Sequence, residues 1–374
     1  MESRHLHIIC FDVPYPPDQG GLIDLFYKIT ALFEKGIQIH LHCYEYGRGQ
    51  QPELNKYCVE VKYYSRREGH KGFSHKLPYI VCSRTNAEMT EQLLMDDHPI
   101  LMEGIHCSFL LGDERFANRK MILRLHNAEF EYYRQLYHSE KSLFRKIYYW
   151  HESKMLKDYE QKISGKVLIL ALAEQDVAKY KSEFHAENIT CLPVFIPSNE
   201  VSSGPGNGCY CLYHGNLSVA ENEKAALWLL EKVFNDLAFP LVIAGKKPSS
   251  RLEKATSQHP NACLIADPSE EEMQDMVGKA QIHVIPSFNC TGIKLKLLNA
   301  LFNGRHCLVN KEAIHQTGLE KVCHVAGDAS GFKEIISEIY ERPFSMDEIR
   351  SRKEVLMSHF DNSRNAENLI QWIW

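Results

Sequence analysis

The sequence predicts an α/β protein built from two doubly wound domains with parallel sheets. Strand-like and helix-like segments alternate twice along the chain, and a stretch rich in proline and glycine separates the two runs. The 374 residues are enough for two domains of ordinary size. Hydrophobic residues make up 44% of the chain and charged residues 24%, the balance of a globular rather than a disordered protein.

The first run begins with a strand, a helix and a second strand. Residues 6–12 predict the first strand, residues 22–35 a helix that Gly36 ends, and residues 37–44 the second strand. Such a βαβ unit is the building block of parallel sheets. Further strands are predicted at residues 59–64, 100–102, 120–125 and 167–171, and a long helical region at residues 129–163.

The second run follows the same pattern. Strands are predicted at residues 210–214, 240–244, 262–266, 281–286 and 306–309. Helices are predicted at residues 220–235, 252–257, 269–279 and 294–303. This regular order predicts a second doubly wound domain.

These segments divide the chain into domains. We expect an N-terminal domain over residues 1–195, a linker over residues 196–207 and a C-terminal domain over residues 208–355. The tail, residues 361–374, is amphipathic and ends with two tryptophans that need a surface to pack on. We therefore expect a C-terminal helix that crosses back onto the N-terminal domain.

Charge and hydropathy argue against several classes of protein. The net charge of −5 is too small to indicate a nucleic-acid-binding protein. Residues 1–12 lack the apolar core of a signal peptide. No stretch reaches the ~18 apolar residues that a membrane span needs. We expect a cytoplasmic protein, with peripheral attachment to the inner face of the membrane as a further expectation.

The loop after the first strand is one candidate binding site. Gly20 and Gly21 precede a helix, where free backbone N–H groups can bind an anion or a sugar hydroxyl. The full Gly-x-Gly-x-x-Gly fingerprint is absent, which argues against a dinucleotide-dependent dehydrogenase. A tight turn without a ligand explains the same residues.

Residues 124–129 are a second candidate. His126 follows a predicted strand, at the sheet edge where open α/β domains bind ligands. Asn127 and Glu129 add hydrogen-bonding groups. A helix that Asn127 caps, with acids in its first turn, is the alternative interpretation.

Residues 286–304 are the strongest candidate. A strand leads into a loop with Thr291 and Gly292, and a helix follows with Lys294 and Lys296 near its start. Cations at a helix N-terminus oppose the helix dipole, which lowers stability. A bound diphosphate would remove this conflict, because backbone N–H groups and lysines would converge on it. The alternative is that both lysines are merely solvated.

The same segment resembles the family-4-type glycosyltransferases of the GT-B fold. In a common branch of that family the segment contains Gly-Thr-Arg-Leu-Lys-Ile-Leu-Glu-Ala-Met, which residues 292–301 follow closely. Residues 213–222 resemble the opening of the family's second domain, residues 242–245 its next strand and glycine turn, and residues 123–127 its N-domain histidine segment.

The resemblance implies two Rossmann-like domains facing a cleft, with the acceptor bound by the first domain and the nucleotide-sugar by the second. It implies transfer of a hexosyl-type sugar, with retention, to a glycan or lipid-linked acceptor, as in bacterial surface-polysaccharide synthesis. It implies no metal and no cofactor, since the nucleotide-sugar is a co-substrate. Positive side chains and backbone dipoles would stabilise the departing diphosphate.

The resemblance also suggests individual roles. It implies that His126 lies near the reacting sugar and that Lys294 supplies charge at the diphosphate, the two catalytic roles. It implies that Gly292 allows close approach, Thr291 contacts the donor sugar and Asn299 holds the ribose. The donor-binding residues expected on this basis are Gly20, Gly21, Gly215, Asn216, Lys246, Thr291, Gly292, Ile293, Lys294, Leu295 and Asn299.

Two pairs of residues depart from the family pattern. The Glu-x7-Glu pair falls on Thr291 and Asn299, whose uncharged side chains hydrogen-bond more weakly than carboxylates. An Arg and a Lys of many relatives fall on Asn216 and Asn222. We expect Lys294 to supply the missing charge.

These departures leave two alternatives open. One is a catalytically weak or inactive binding or scaffold protein on a transferase fold. The other is a nucleotide-sugar epimerase, which would need an acid–base pair that the sequence does not identify.

Residues 134–166 combine basic and aromatic side chains. They include eight Lys or Arg and four Asp or Glu, with Phe144, Tyr148 and Trp150 among them. Such a helix suits an anionic membrane surface, a possible partner of this protein. The alternative is that the apolar stripe is domain core and the lysines are a solvated face.

Overall fold

The structure, a computed structural model, describes residues 3–18, 20–197, 200–288, 294–315 and 317–374, apart from the side chains of residues 70 and 71. It divides into two compact units, Met1–Pro197 together with Phe360–Trp374, and Ser198–His359. Each unit is built around one parallel sheet.

The described part of the first unit contains a seven-stranded sheet. Its strands are β1 (His5–Cys10), β2 (Gln38–Glu45), β3 (Glu60–Ser65), β4 (Ile100–Glu103), β5 (Met121–Leu125), β6 (Leu168–Ala171) and β7 (Ile189–Cys191). Their spatial order, β3-β2-β1-β4-β5-β6-β7, is that of a doubly wound Rossmann sheet. The prediction missed β7, since three residues are too few to show a periodic pattern.

Helices cover the sheet of the first unit. They are α1 (Gly20–Glu34), α2 (Tyr79–Cys82), α3 (Ala87–Leu93), α4 (Glu129–Ser139), α5 (Leu143–Ile163) and α6 (Glu174–Phe184). Short 3₁₀ helices lie at Pro52–Lys56, Gly69–Gly72, Ile105–Gly112 and Glu114–Phe116.

The helical region predicted over residues 129–163 is interrupted. Helix α4 ends at Ser139 and α5 begins at Leu143. Between them, Glu140 Oε1 accepts hydrogen bonds from the backbone N–H groups of Lys141 (2.8 Å) and Ser142 (2.9 Å). These bonds replace the intrahelical ones that both amides would make in a continuous helix, so the chain turns here.

The second unit repeats the architecture with six described strands. They are β8 (Cys211–Asn216), β9 (Leu241–Lys246), β10 (Ala262–Ala266), β11 (Ile282–Ile285), β12 (His306–Asn310) and β13 (His324–Ala326). Their order is β10-β9-β8-β11-β12-β13, and all neighbours are parallel. The helices are α7 (Ala220–Trp228), continued by a π turn (Leu229–Val233), α8 (Ser250–Ser257), α9 (Glu270–Lys279), α10 (Leu295–Asn303), α11 (Lys311–Ile314), a 3₁₀ turn (Glu320–Val322), α12 (Ala329–Ile339) and α13 (Met346–His359).

The C-terminal helix α14 (Asn362–Ile373) belongs to the first unit, as predicted. Asn362, the first residue of α14, holds the returning chain against Ile196, because its side chain exchanges hydrogen bonds with the backbone N–H (3.1 Å) and C=O (2.8 Å) of that residue. Leu369 and Ile373 are buried in the core that α1 shares with β1 and β2. The apolar face of the tail therefore has a partner surface.

Among the described helices, none combines the length and the apolar character that crossing a membrane requires.

Candidate functional site

The predicted site residues lie at the carboxyl ends of strands in both units. In the first unit, His126 directly follows β5. In the second unit, Gly215 and Asn216 end β8, and Lys246 ends β9 beside Asn216 in the sheet register. Open α/β sheets bind ligands at this edge.

His126 belongs to a buried network of charged side chains. Its Nε2 lies 3.0 Å from Oε2 of Glu103, whose Oε1 accepts a 2.8 Å hydrogen bond from Nζ of Lys28. Lys28 also donates to Oδ2 of Asp24 at 2.9 Å, and Nη2 of Arg124 donates to Oδ1 of Asp24 at 3.0 Å. His126 is 8% exposed, and the other four are fully buried. Each of these charges therefore depends on its partners, and together they join α1 to β4 and β5.

The same network extends to the end of the sheet. Asp24 Oδ1 accepts a 2.8 Å hydrogen bond from the backbone N–H of Phe195, and Arg124 donates to the carbonyls of Leu192 and Pro193. The side chains of α1 and β5 thus fix the segment that follows β7.

The charges of the network balance without a metal ion. Ligand atoms of Asp24, Glu103 and His126 lie within 4.8 Å of one another, a spacing that suits a metal. Lys28, however, already contacts both carboxylates. Burial raises the pKa of Glu103, but the Lys28 ammonium and the hydrogen bond from His126 outweigh it and hold that pKa below its ordinary value. These residues fit an ion-pair network better than a metal centre.

Gly21 lies against the His126 ring. A Cβ at position 21 would come within 3.3 Å of His126 Nδ1 and 2.9 Å of Cζ of Phe11. Because Nε2 faces the Glu103 carboxylate, we infer that Nε2 carries the proton and Nδ1 the lone pair. This Nδ1 is buried and has no hydrogen-bond partner among the described residues. The structure therefore brings two predicted residues together, while the catalytic role of His126 stays a prediction.

Gly20 and Glu129 occupy the starts of helices. Gly20 is the exposed first residue of α1. Glu129 is the buried first residue of α4, where burial raises its pKa to about 7 despite a hydrogen bond with Asn127. The N-cap of α4 is Ala128, so the alternative that Asn127 caps this helix is wrong. Asn127 instead supports the Glu129 carboxyl group.

A mostly buried lysine lies at the candidate diphosphate site of the second unit. Lys296, in the first turn of α10, donates from Nζ to Oη of Tyr213 (3.0 Å) and to Oδ1 of Asn222 (2.8 Å). Burial and, to a lesser extent, the charge of Lys294 together lower its pKa to about 8, so Lys296 is mainly charged at pH 7. A Cβ on Gly215 would lie 3.8 Å from this Nζ. The ammonium and the N-terminus of α10 together favour an anion here.

The structure explains the two asparagines that depart from the family pattern. Nδ2 of Asn222 donates to the backbone carbonyl of Asn216 at 2.9 Å, which turns Oδ1 of Asn222 towards Lys296. The ammonium beside Asn222 therefore belongs to Lys296, which the sequence interpretation noted but left out of the site. Two lysines spaced by two residues lie on different faces of a helix, and only the positions of β8 and α7 show which one points to this edge.

The remaining predicted donor residues lie around the start of α10. Lys294 is its N-cap residue and Leu295 its first residue. Asn299 Oδ1 accepts a 2.8 Å hydrogen bond from Nδ2 of Asn303, so this oxygen already has a partner. Three predicted donor-binding residues lie outside the described part of the chain: Thr291, Gly292 and Ile293.

The buried network was also missed in the sequence. Asp24 and Lys28 lie one helical turn apart within an otherwise apolar segment of α1. Oppositely charged residues at this spacing interact, and their place on the apolar face could have indicated a buried pair.

An apolar and basic surface lies at the start of α5. Leu143 is 75% and Phe144 88% exposed, and Ile147 and Trp150 are exposed as well. Nζ of Lys154 lies 4.0 Å from the centre of the Trp150 ring. The apolar side chains in the first turns of α5 are therefore not part of the domain core. The alternative interpretation, in which this apolar stripe is buried, does not hold for them.

Comparison with known proteins adds one relative. No family model matches the chain. The uncharacterized 44.6 kDa protein in the cps region of Klebsiella pneumoniae is 28% identical over 321 residues, which cover 79% of this chain and 80% of that protein.

Solved structures resemble the chain over its whole length. Sucrose-phosphate synthase from Thermosynechococcus elongatus has a TM-score of 0.72 at 13% identity, with 98% of each chain covered. Alr3699/HepE from Anabaena, in complex with UDP and glucose, has a TM-score of 0.66 at 10% identity, with 98% of each chain covered. WaaG, a glycosyltransferase involved in lipopolysaccharide biosynthesis, has a TM-score of 0.66 at 12% identity over 98% of this chain and 99% of that chain. As the segment 286–304 predicted, the chain has the GT-B fold of the glycosyltransferases.

Proposed function

We propose that the protein is a hexosyl-type glycosyltransferase that moves a sugar from a nucleotide-diphosphate donor to a glycan or lipid-linked acceptor, with retention. The donor binds at the carboxyl edge of the sheet in the second unit, and the acceptor binds to the first unit. A neighbour with this fold that holds UDP and glucose supports the donor. The relative from a cps region and the lipopolysaccharide role of WaaG support an acceptor in surface-polysaccharide synthesis.

The position of Lys296 carries the proposal. Its Nζ donates to two neutral acceptors, on Tyr213 and Asn222, and the Glu221 carboxylate nearby helps to keep it charged. As the bond between sugar and diphosphate breaks, negative charge grows on the leaving oxygen, and a fixed cation in a dry site stabilises it. Lys296 and the α10 N-terminus would supply this positive charge, so we propose the step without a metal ion.

Replacement of Lys296 by Met is expected to weaken nucleotide-sugar binding about 10- to 100-fold, because hydrogen bonds to charged groups are worth about 1.5–3 kcal/mol. The measurement is calorimetry with uridine, guanosine and adenosine diphosphate sugars. Lys294→Ala is also expected to weaken binding, while Lys279→Met, which removes an exposed lysine of α9 paired with Asp275, should leave it unchanged. Equal affinities for the wild type and Lys296→Met would show that the diphosphate lies elsewhere.

Calorimetry on the wild type, followed by assays of sugar transfer and donor conversion, separates the three candidate functions. If the wild type binds no nucleotide-sugar, the transferase hypothesis and the epimerase hypothesis are both wrong. Binding without transfer to a lipid or glycan extract would favour the scaffold. Conversion of the donor sugar without an acceptor would favour the epimerase.

We further propose that the start of α5 holds the first unit on an anionic membrane, where a lipid-linked acceptor would be presented. Its exposed Leu143, Phe144 and Ile147 can enter the interface between headgroups and acyl chains. Lys141 precedes these residues and Lys146 lies among them, and both can attract acidic lipids.

The double substitution Phe144→Glu, Ile147→Glu is expected to weaken binding to phosphatidylglycerol vesicles at least tenfold, because each buried apolar side chain contributes about 1.5–3 kcal/mol. Vesicle co-sedimentation measures the effect. Met95→Glu, at an exposed position outside α5, is the matched control and should bind like the wild type. Vesicle binding that the double substitution leaves unchanged would contradict this surface.

A further inference from the structure

Three side chains of the metal-ligand type converge in the second unit, at the sheet edge opposite Lys296. His306 is the first residue of β12, His324 the first of β13, and Glu348 lies in α13. His306 Nδ1 is 3.3 Å from His324 Nε2 and 3.7 Å from Glu348 Oε1. One ligand atom from each lies within 4.8 Å of the other two.

The distance between the two histidine nitrogens matches that around a tetrahedral zinc ion. Zinc bonds to histidine nitrogen are about 2.0–2.1 Å long, which places two ligand nitrogens about 3.3 Å apart. Two histidines and one glutamate also form a common zinc ligand set with one open position. The geometry therefore needs little change at the imidazoles to bind the ion.

Two of the three ligands are already oriented by neighbours. His306 Nε2 lies 3.1 Å from the backbone carbonyl of Arg342, so it donates its proton there and leaves the Nδ1 lone pair towards His324. Glu348 Oε2 accepts hydrogen bonds from the N–H (2.9 Å) and hydroxyl (2.8 Å) of Ser345, which leaves Oε1 facing the histidines. Metal ligands are typically held by such outer hydrogen bonds.

The Arg342 guanidinium now lies where a cation would bind. Its Nη2 is 2.9 Å from Glu348 Oε1 and 3.5 Å from both His306 Nδ1 and His324 Nε2. The Arg342 side chain is 43% exposed, so it can turn into solvent, while its backbone carbonyl continues to hold His306. The site thus already accommodates one positive charge among three ligand atoms.

We propose that His306, His324 and Glu348 bind one zinc ion, with the Arg342 side chain displaced and water at the open position. The ion would link β12, β13 and α13. The site lies at the amino-terminal ends of the strands, away from the proposed donor site, so the assignment does not depend on the proposed function.

Zinc titration of the full chain, stripped with a chelator and then freed of it, tests the assignment. In competition with a chromophoric chelator, the wild type is expected to bind one zinc ion tightly. His324→Gln and Glu348→Gln should each weaken this binding at least tenfold, and zinc should raise the thermal unfolding temperature of the wild type but not of His324→Gln. Arg342→Ala should bind zinc several-fold more tightly, because the competing cation is gone while the backbone carbonyl remains.

His40→Gln is the matched control. His40 belongs to another histidine pair, with Nε2 3.0 Å from His5 Nδ1 in the first unit, and its loss should leave the tight site intact. A wild type that binds no zinc, or tight binding that survives both His324→Gln and Glu348→Gln, would overturn the assignment. Loss of the tight site in His40→Gln alone would overturn it as well. Thermal unfolding without zinc verifies that each variant is folded.

Discussion

Replacement of Lys28 by Met is expected to lower the free energy of unfolding by about 3–5 kcal/mol, the cost of breaking a buried ion pair by removal of one partner. Lys28 Nζ contacts Asp24 and Glu103, and all three side chains are fully buried. Asp24 would keep Arg124 as a partner, but Glu103 would lose its cation. Urea-induced unfolding, followed by circular dichroism, measures the loss.

Two further variants identify the cause of this loss. Lys28→Met combined with Glu103→Gln removes the unpaired charge along with the lysine, so it should recover a substantial part of the stability. Lys56→Met removes an exposed lysine that pairs with Glu53 and should lower the free energy of unfolding far less than Lys28→Met does. If Lys28→Met is as mild as Lys56→Met, the network does not hold the first unit together as described.

Replacement of Gly245 by Ala is expected to destabilise the second unit by about 3 kcal/mol or more, at the upper end of the cost of overpacking. A Cβ at position 245 would lie 1.8 Å from the carbonyl oxygen of Gly215 and 2.9 Å from its carbonyl carbon. The neighbour is backbone of the adjacent strand, which cannot move aside as a flexible side chain can. Since Gly215 borders Lys296, nucleotide-sugar affinity should also fall. Thermal unfolding and donor calorimetry measure the two effects.

Gly278→Ala is the contrasting substitution. Gly278 is the next-to-last residue of α9, and, apart from its chain neighbours and the nearby helix backbone, no heavy atom of the described residues lies within 4 Å of the position that its Cβ would take. Alanine there should stabilise the helix by about 0.5–1 kcal/mol. If Gly245→Ala were as well tolerated as Gly278→Ala, the close approach of β8 and β9 at this point would be disproved.

Much of the fold could be predicted because its signals are local. Alternating strand and helix patterns indicated two parallel-sheet domains, and the amphipathic tail indicated a helix that returns to the first of them. Errors occurred where the signal was short, as in β7 and β13, and where a side chain competed with the helix, and the sequence analysis assigned no element to α6, α12 and α13. The three residues of β7 show no period, and Glu140, the C-cap of α4, accepts hydrogen bonds from the two amides that separate α4 from α5.

The site was predicted only in outline. Residues 286–304 indicated the strand, loop and helix that hold lysines at a sheet edge, and His126 was expected at the corresponding edge of the first domain. Which lysine faces that edge was not evident, because Lys294 and Lys296 have the same chemistry and lie two residues apart.

The sequence by itself therefore determined the order of the elements and the kinds of side chain at each strand end. Only the tertiary structure decided the partners of the charged groups. Lys296 meets Asn222 across 74 residues, and Arg124 meets Asp24 across 100. Such contacts depend on strand order and register, which many residues set together and no short segment encodes. The convergence of His306, His324 and Glu348 has the same origin, since two adjacent strands and a later helix bring them to one point.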